Sequence, residues 1–134
     1  MIGARLLKAV DRQILRSTNQ LFSGMLLSGL WSSVDTISDR GHFAYRSFKT
    51  YLPAGTYTIS FASAVNIVRQ IADNALTENI GTNLREYTLT TTTDNYIGFS
   101  FRLTGTTMSP WDNSNIMLNA GSTAMNYESY VTWA

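Results

Sequence analysis

The residue types able to do chemistry are few in this chain and widely spaced. There is one histidine, His42, and no cysteine, so no thiolate nucleophile and no cysteine metal site can form. His42 follows Gly41 where a strand-like run begins, and a strand-end residue is its ordinary reading. The other reading is a Ser-His-Asp triad with partners from distant positions, although no Gly-x-Ser-x-Gly turn is present. Paired carboxylates can cleave glycosides when held about 5–10 Å apart. Here Asp35 and Asp39 lie in a turn-like stretch, and Glu86 and Glu128 lie on strand-like runs, with nothing in the sequence to make them converge. Asp112-Asn113-Ser114-Asn115 offers oxygen ligands suited to a hard cation, but lacks the glycine and terminal Glu of an EF-hand loop, so an Asx-type turn is its simpler reading. No glycine loop suited to a phosphate appears. The expectation is no catalytic set, no metal and no cofactor, and hence not an enzyme.

Aromatic residues are the remaining chemical lead. Trp31, Tyr45, Tyr51, Tyr87, Tyr96 and Trp111 lie in loops or off the apolar faces of strand-like runs, and are expected to be exposed. A flat ring beside Asn, Asp or Arg suits a sugar: the ring covers the apolar face of the pyranose while the polar groups bond its hydroxyls. Trp111 with Asp112 and Asn113 has that local chemistry, and so has Tyr45 with Arg46. The competing reading is that these rings fill a core.

The elements that must position these groups follow from patterning. A chain of 134 residues is one domain's worth and can bury a core without staples. Only 14% of residues are charged and the formal net charge is +1, which argues against a nucleic-acid partner. The balance hides an asymmetry. Residues 1–20 carry Arg5, Lys8, Arg12 and Arg16 against Asp11, a net +3; the remaining six basic and eight acidic residues leave the body at −2. No apolar run approaches the roughly 18 residues of a membrane span. Lys8, Asp11 and Arg12 interrupt any apolar core of a secretory signal, and an Arg-rich transit peptide is a minor alternative.

Residues 2–16 are expected to form a short amphipathic helix, with Leu6, Leu7, Val10 and Ile14 at helical spacing. Such a helix is marginal alone and needs a cover. It either lies on its own domain or serves as a docking peg or oligomer seam, a heptad fragment being visible in Leu7, Val10 and Ile14. Beyond residue 20 the period falls to two. Tyr57, Ile59 and Phe61 share one face of Gly55–Phe61, and Ile97, Phe99, Phe101 and Leu103 share one face of Tyr96–Leu103. Further strands are expected at Leu30–Thr36, His42–Tyr51, Val65–Ile71, Arg85–Thr92, Asn115–Asn119 and Ser129–Trp133. Leu52-Pro53-Ala54-Gly55 has type I turn chemistry, and Thr93-Asp94-Asn95 is expected to close a hairpin. Residues 73–83 and 105–114 are expected to be long loops. About eight short strands with turn signals between them predict an all-β antiparallel β-sandwich, a jelly roll, over residues 21–134, behind the helical segment 1–20.

The run Asn115-Ile116-Met117-Leu118-Asn119-Ala120-Gly121-Ser122-Thr123-Ala124, followed after two residues by Tyr127-Glu128-Ser129-Tyr130, resembles the ending of β-sandwich modules in phage minor structural and tail proteins. Phe48–Phe61, Val65–Arg69 and Tyr96–Arg102 resemble earlier strands of the same modules, so the likeness covers roughly residues 42–130. Met125-Asn126 stands where the family often has Leu-Pro, and Ser129 where it often has Pro. The resemblance implies a fold like that of carbohydrate-binding modules and a place in the virion, on tail, baseplate, fibre or capsid surface. It names no universal ligand residues. Such modules usually end a longer tail protein, whereas this chain starts at Met1 with a basic helix, which suggests a separate decoration or fibre subunit.

The expected function is a non-enzymatic virion structural protein. Leu6, Leu7, Val10 and Ile14 would dock it to other virion proteins or to sister subunits, with a homotrimer as the guess. The body would aid adhesion to host-surface polysaccharide through Trp111, Asp112, Asn113, Tyr45 and Arg46. A free-standing lectin is the alternative, and a small glycan-active enzyme a further one. The expected core is Tyr57, Ile59, Phe61, Ile97, Phe99, Phe101, Ile116 and Leu118. Phe99→Ala is accordingly expected to cost about 3–5 kcal/mol in urea unfolding.

Overall fold

The computed structural model describes residues 14–15, 19–38, 45–103, 115–130 and 132–133. Among these the regular structure is all β, and no helix is long and apolar enough to cross a membrane. The strands are β1 (Ile14–Leu15), β2 (Leu27–Ser28), β3 (Leu30–Trp31), β4 (Ile37–Ser38), β5 (Tyr45–Leu52), β6 (Gly55–Ala72), β7 (Ala75–Thr91), β8 (Asn95–Leu103), β9 (Met117–Ala120) and β10 (Thr132–Trp133). Every pairing is antiparallel. The main sheet runs β2-β5-β8-β6-β7, with β9 also on β6.

The frame of the molecule is the long hairpin β6–β7. The residues expected as two strands, Gly55–Phe61 and Val65–Ile71, are one strand of 18 residues. The expected loop at 73–83 is instead a two-residue turn and the start of β7. Asp73 and Asn74 both have positive φ (49° and 58°), the conformation that closes a tight hairpin and that Asp and Asn tolerate. The stretch was illegible as a strand because most of its side chains are exposed, and because Asn79 and Asn83 (φ 56° and 55°) break the alternation.

This hairpin is folded double. Laid straight, the chain from Asp73 to Thr92 would span roughly 60 Å. Yet the Asp73 carboxylate accepts hydrogen bonds from Thr92 N at 2.9 Å and from Thr93 N and Oγ1 at 3.0 and 2.9 Å. The fold falls where the register slips between Ser60 and Val65. Ala62, Ser63 and Ala64 occupy that slip, small enough to let the strand bend, and Arg85 Nη1 donates to Ala62 O at 3.0 Å across it. The first half of β6 then pairs with β9 (Tyr57↔Ala120 to Ser60↔Met117), and the second half pairs with β8 (Val65↔Leu103 to Ile71↔Gly98). Consequently Thr92–Asp94 joins β7 to β8 without pairing them. The hairpin expected there is not formed, because β8 lies between β5 and β6.

The two halves close over one core. All eight residues expected in it are buried together, with Phe22, Phe48, Leu52, Val65, Ile67 and Leu89. Phe61 meets Phe101 edge-on with centroids 5.2 Å apart, and Tyr87 meets Phe99 edge-on at 6.3 Å, so the rings tie the layers together. Tyr87 is therefore half-buried rather than a free surface ring.

The segments at either end of the body are held by polar ties. The Gln20 carboxamide is 1% exposed and uses its full bonding capacity. Its Nε2 donates to Ile116 O (2.8 Å) and Glu128 O (3.0 Å), and its Oε1 accepts from Phe22 N (3.1 Å) and Leu118 N (2.9 Å). The Glu128 carboxylate accepts from Asn19 N at 3.1 Å and Asn19 Nδ2 at 3.3 Å. Asn119, buried on β9, pins the following turn by donating to Ala120 O and Thr123 O and accepting from Met125 N. Gly121 sits in that turn at φ 102°, where a side chain would be strained. Asn119 and Glu128 are thus structural ties.

In the segment expected to be helical, Ile14 and Leu15 are extended and pair with Trp133 and Thr132. Strand pairing at these two positions overrides the helical spacing of the apolar residues. Leu6, Leu7 and Val10 lie outside the described residues, as do His42, Trp111, Asp112 and Asn113.

Replacing Gln20 tests the tie directly. Gln20→Leu leaves four backbone groups without their partner, at about 1–3 kcal/mol for each one that stays dry. Urea unfolding is expected to show a loss above about 3 kcal/mol; a loss under about 1 kcal/mol would mean that water replaces the amide.

Candidate functional site

The outer face of β5 and β8 is set by register. Tyr45 stands opposite Arg102, Ser47 opposite Ser100, Lys49 opposite Gly98 and Tyr51 opposite Tyr96. Paired residues of an antiparallel ladder share a face, so these eight form one outward row of pairs. The middle is covered. The β3–β4 ribbon (Leu30↔Ser38, Trp31↔Ile37) lies over it, and Trp31, expected to be exposed, is only 3% exposed. Its backbone N donates to Ser100 Oγ at 2.8 Å and its Nε1 to Phe48 O at 3.2 Å. Ser47 and Ser100 share a 2.7 Å hydroxyl contact beneath it, and Ser47 Oγ donates to Gly29 O. The indole is buried because its one polar atom finds a backbone acceptor there. The single strand expected at Leu30–Thr36 is this ribbon, turned by Ser33 Oγ accepting from Asp35 N and Thr36 N.

Two ends of the row remain open. At one, Arg102 stacks over the Tyr45 ring, guanidinium carbon 6.0 Å from the centroid. Arg46, expected to work with Tyr45, leaves the opposite face of the strand and stands in register with Phe101. The cation on Tyr45's own face is therefore Arg102.

The other end carries the better-formed site. Tyr51 and Tyr96 are 60% and 43% exposed, with rings edge-to-face at 5.4 Å and 88°. Beside them is a cleft of about 200 Å³ lined by Val34, Asp35, Lys49, Ile71, Asn74, Asn95 and Tyr96. Four segments meet there: the ribbon turn, β5, the β6–β7 turn and the start of β8. Lys49 Nζ lies 4.6 Å from the Tyr96 centroid and 5.0 Å from that of Trp31, and donates to Val34 O at 2.8 Å. The nearest Asp35 oxygen is 4.0 Å away. Gly98 is what lets these strands approach: a Cβ there would stand 2.9 Å from Lys49 Cβ and 3.0 Å from Phe48 O. Asn95 Oδ1 accepts from Tyr96 N at 2.7 Å, leaving its Nδ2 toward the cleft's polar capacity. Tyr51 Oη donates to Asp94 O at 3.3 Å, and Asp94 Oδ1 accepts from Ala54 N at 2.8 Å.

The arrangement is apolar below, at Val34 and Ile71, and polar at its rim, with ring faces alongside. That combination suits a small polyhydroxylated ligand. The sequence marks Tyr51 and Tyr96 for exposure, offers Asp35 only as a carboxylate paired with Asp39 and Asn95 only as a turn residue, and gives no sign of Lys49 or Asn74. The pairing of β5 with β8 and the tight Asp73-Asn74 turn bring these together, and neither was legible locally. A second cleft of about 200 Å³ lies by Ser60, Ala62, Asn115, Met125 and Tyr127. Among the described residues no group of three His, Asp or Glu is placed to hold a metal. Comparison of the chain with protein-family models, with curated proteins and with solved structures finds no match.

The rim depends on Asp73, whose carboxylate joins the turn bearing Asn74 to the loop before Asn95. The Thr93 hydroxyl, followed by the Thr92 and Thr93 amides, holds the Asp73 carboxyl below its ordinary value of 3.8. A depressed carboxyl adds stability that is present above the unfolded-state value and is lost as pH falls through the folded one. Thermal midpoints are therefore expected to drop as pH falls below about 4, and Asp73→Asn should flatten that part of the profile. An unchanged profile in the variant would remove Asp73 as the source.

Proposed function

We propose that the protein is a non-enzymatic virion structural subunit whose body is a jelly-roll β-sandwich of carbohydrate-binding-module type, and that it contacts saccharide through the Tyr51–Tyr96 cleft. The observation that carries the saccharide reading is this cleft: two exposed rings at right angles beside Lys49, Asp35, Asn74 and Asn95 over an apolar floor. The rings supply flat apolar surface and the rim supplies donors and acceptors, the two demands of a pyranose. The virion reading is supported by the resemblance of residues 42–130 to phage tail modules. In this reading residues 1–20 attach the subunit to other virion proteins or to sister copies, with Leu6, Leu7 and Val10 as the apolar contacts and a trimer as the proposed assembly. Ile14, the fourth residue expected there, is extended and pairs with Trp133.

A cleft of this size engages about one sugar ring, so affinity for a free sugar is expected near the millimolar end, with many copies on one particle supplying avidity. The test is retention of multimerised protein on an immobilised glycan panel. Wild type should be retained, whereas Tyr51→Ala/Tyr96→Ala should elute freely with a thermal midpoint little changed, since both rings are exposed. Absence of wild-type retention on every glycan would defeat the adhesive reading. The virion reading is tested separately, by searching purified particles for the chain by mass spectrometry and locating it by immunolabelling.

A further inference from the structure

We infer that the cleft selects a neutral sugar unit, one of whose hydroxyls bridges Lys49 Nζ and Asp35 Oδ1; this rests on the saccharide reading of the same cleft. Lys49 is largely buried, its side chain 23% exposed. Among the described residues its ammonium has one hydrogen-bond acceptor, Val34 O, although it carries three N–H donors. The rings of Trp31 and Tyr96 stabilise its charge but accept no ordinary hydrogen bond. The Asp35 carboxylate, 86% exposed, accepts no hydrogen bond from a described residue. The pair stands 4.0 Å apart, beyond hydrogen-bond range, so each keeps capacity that the other does not use.

A hydroxyl is the group that fits between them, because it accepts from an ammonium and donates to a carboxylate at once. A second hydroxyl of the same ring then meets Asn95 Nδ2 or the Asn74 side chain, neither of which has a partner among the described residues. A cleft near 200 Å³ lies below the roughly 300–1,000 Å³ of sites for larger ligands, which fits a single ring.

The surrounding charge excludes an acidic sugar. Asp35 lines the cleft, Asp73 immediately precedes Asn74, and Asp94 immediately precedes Asn95. Of the three only Asp35 lines the cleft with Lys49: the Asp73 carboxylate accepts hydrogen bonds from Thr92 and Thr93, and Asp94 Oδ1 accepts from Ala54 N. A uronate would meet the repulsion of the Asp35 carboxylate and would have to displace it from Lys49. Lys49 serves as a hydrogen-bond donor to a hydroxyl rather than as a counter-ion.

The experiment titrates the full chain with two panels of equal-length oligosaccharides, neutral hexoses and hexuronates, followed by ligand-observed NMR. A neutral member should bind and the hexuronates should not. Affinity should stay within about twofold as salt rises from about 0.1 to about 1 M, because no net charge pairs across the site. Asp35→Ala, at an exposed position, should weaken the neutral ligand about tenfold with no shift in thermal midpoint, as for loss of one charge-assisted hydrogen bond. Asp35→Asn should relax the rejection of hexuronates. Lys49→Met, which keeps the apolar stem, should weaken the neutral ligand similarly, its midpoint reporting whether the ribbon still seats. Tightest binding by a hexuronate, or neutral binding untouched by Asp35→Ala, would overturn the inference while leaving the saccharide reading standing. Failure of both panels to bind would remove the saccharide reading and this inference with it.

Discussion

The doubling of the β6–β7 hairpin is the constraint from which the other arrangements follow. Two strands of 18 and 17 residues expose one apolar face each if they stay straight. Folding at Ala62–Ala64 turns each half toward the other. Tyr57, Ile59 and Leu89 of one half then close over Phe99 and Phe101, held beside the other half by β8. The same fold returns the hairpin tip to its base, which is why Asn74 and Asn95, 21 positions apart, border one cleft. The core and the candidate site are thus two results of one bend.

A bend stored in small residues needs something to hold it, since small side chains contribute little packing of their own. Here polar groups do the holding, at places where each finds its full set of partners. Asp73 receives three donors, and Gln20 satisfies four backbone groups in a site closed to water. A buried amide with one unmatched atom would cost more than an apolar residue in its place, so complete satisfaction is what makes Gln20 stabilising. Gln70 shows the contrast: its buried Oε1 has no partner among the described residues.

What was legible in the sequence was the part encoded by alternation. Tyr57, Ile59 and Phe61, and likewise Ile97, Phe99 and Phe101, declare their face within a few residues, and all are buried as read. What was not legible depends on which strand lies beside which. Trp31 read as exposed because no local signal shows that Ser47 and Ser100 lie beneath it. Residues 75–83 read as a loop because an edge strand with exposed polar side chains and two Asn residues at positive φ carries no apolar stripe. Ile14 read as helical because its spacing to Val10 is helical, while its strand partner, Trp133, is 119 positions away. The candidate cleft fell in this second class: its four contributing segments are separated in the chain, and only register unites them.

The Gln20 tie also sets an order of events. The hairpin pairs residues that are near in sequence, beginning with Ala72 and Ala75, so it can zip from its turn outward while the rest of the chain is still unfolded. The bonds of Gln20 to Ile116, Leu118 and Glu128 span 96, 98 and 108 positions. Contacts of such separation carry the largest loop-closure entropy and form late. During synthesis the segment at Gln20 must therefore wait for residues 116–128 to emerge before it can be seated. Until then Phe22 lacks the core that later buries it, and the nascent chain carries an exposed apolar segment there.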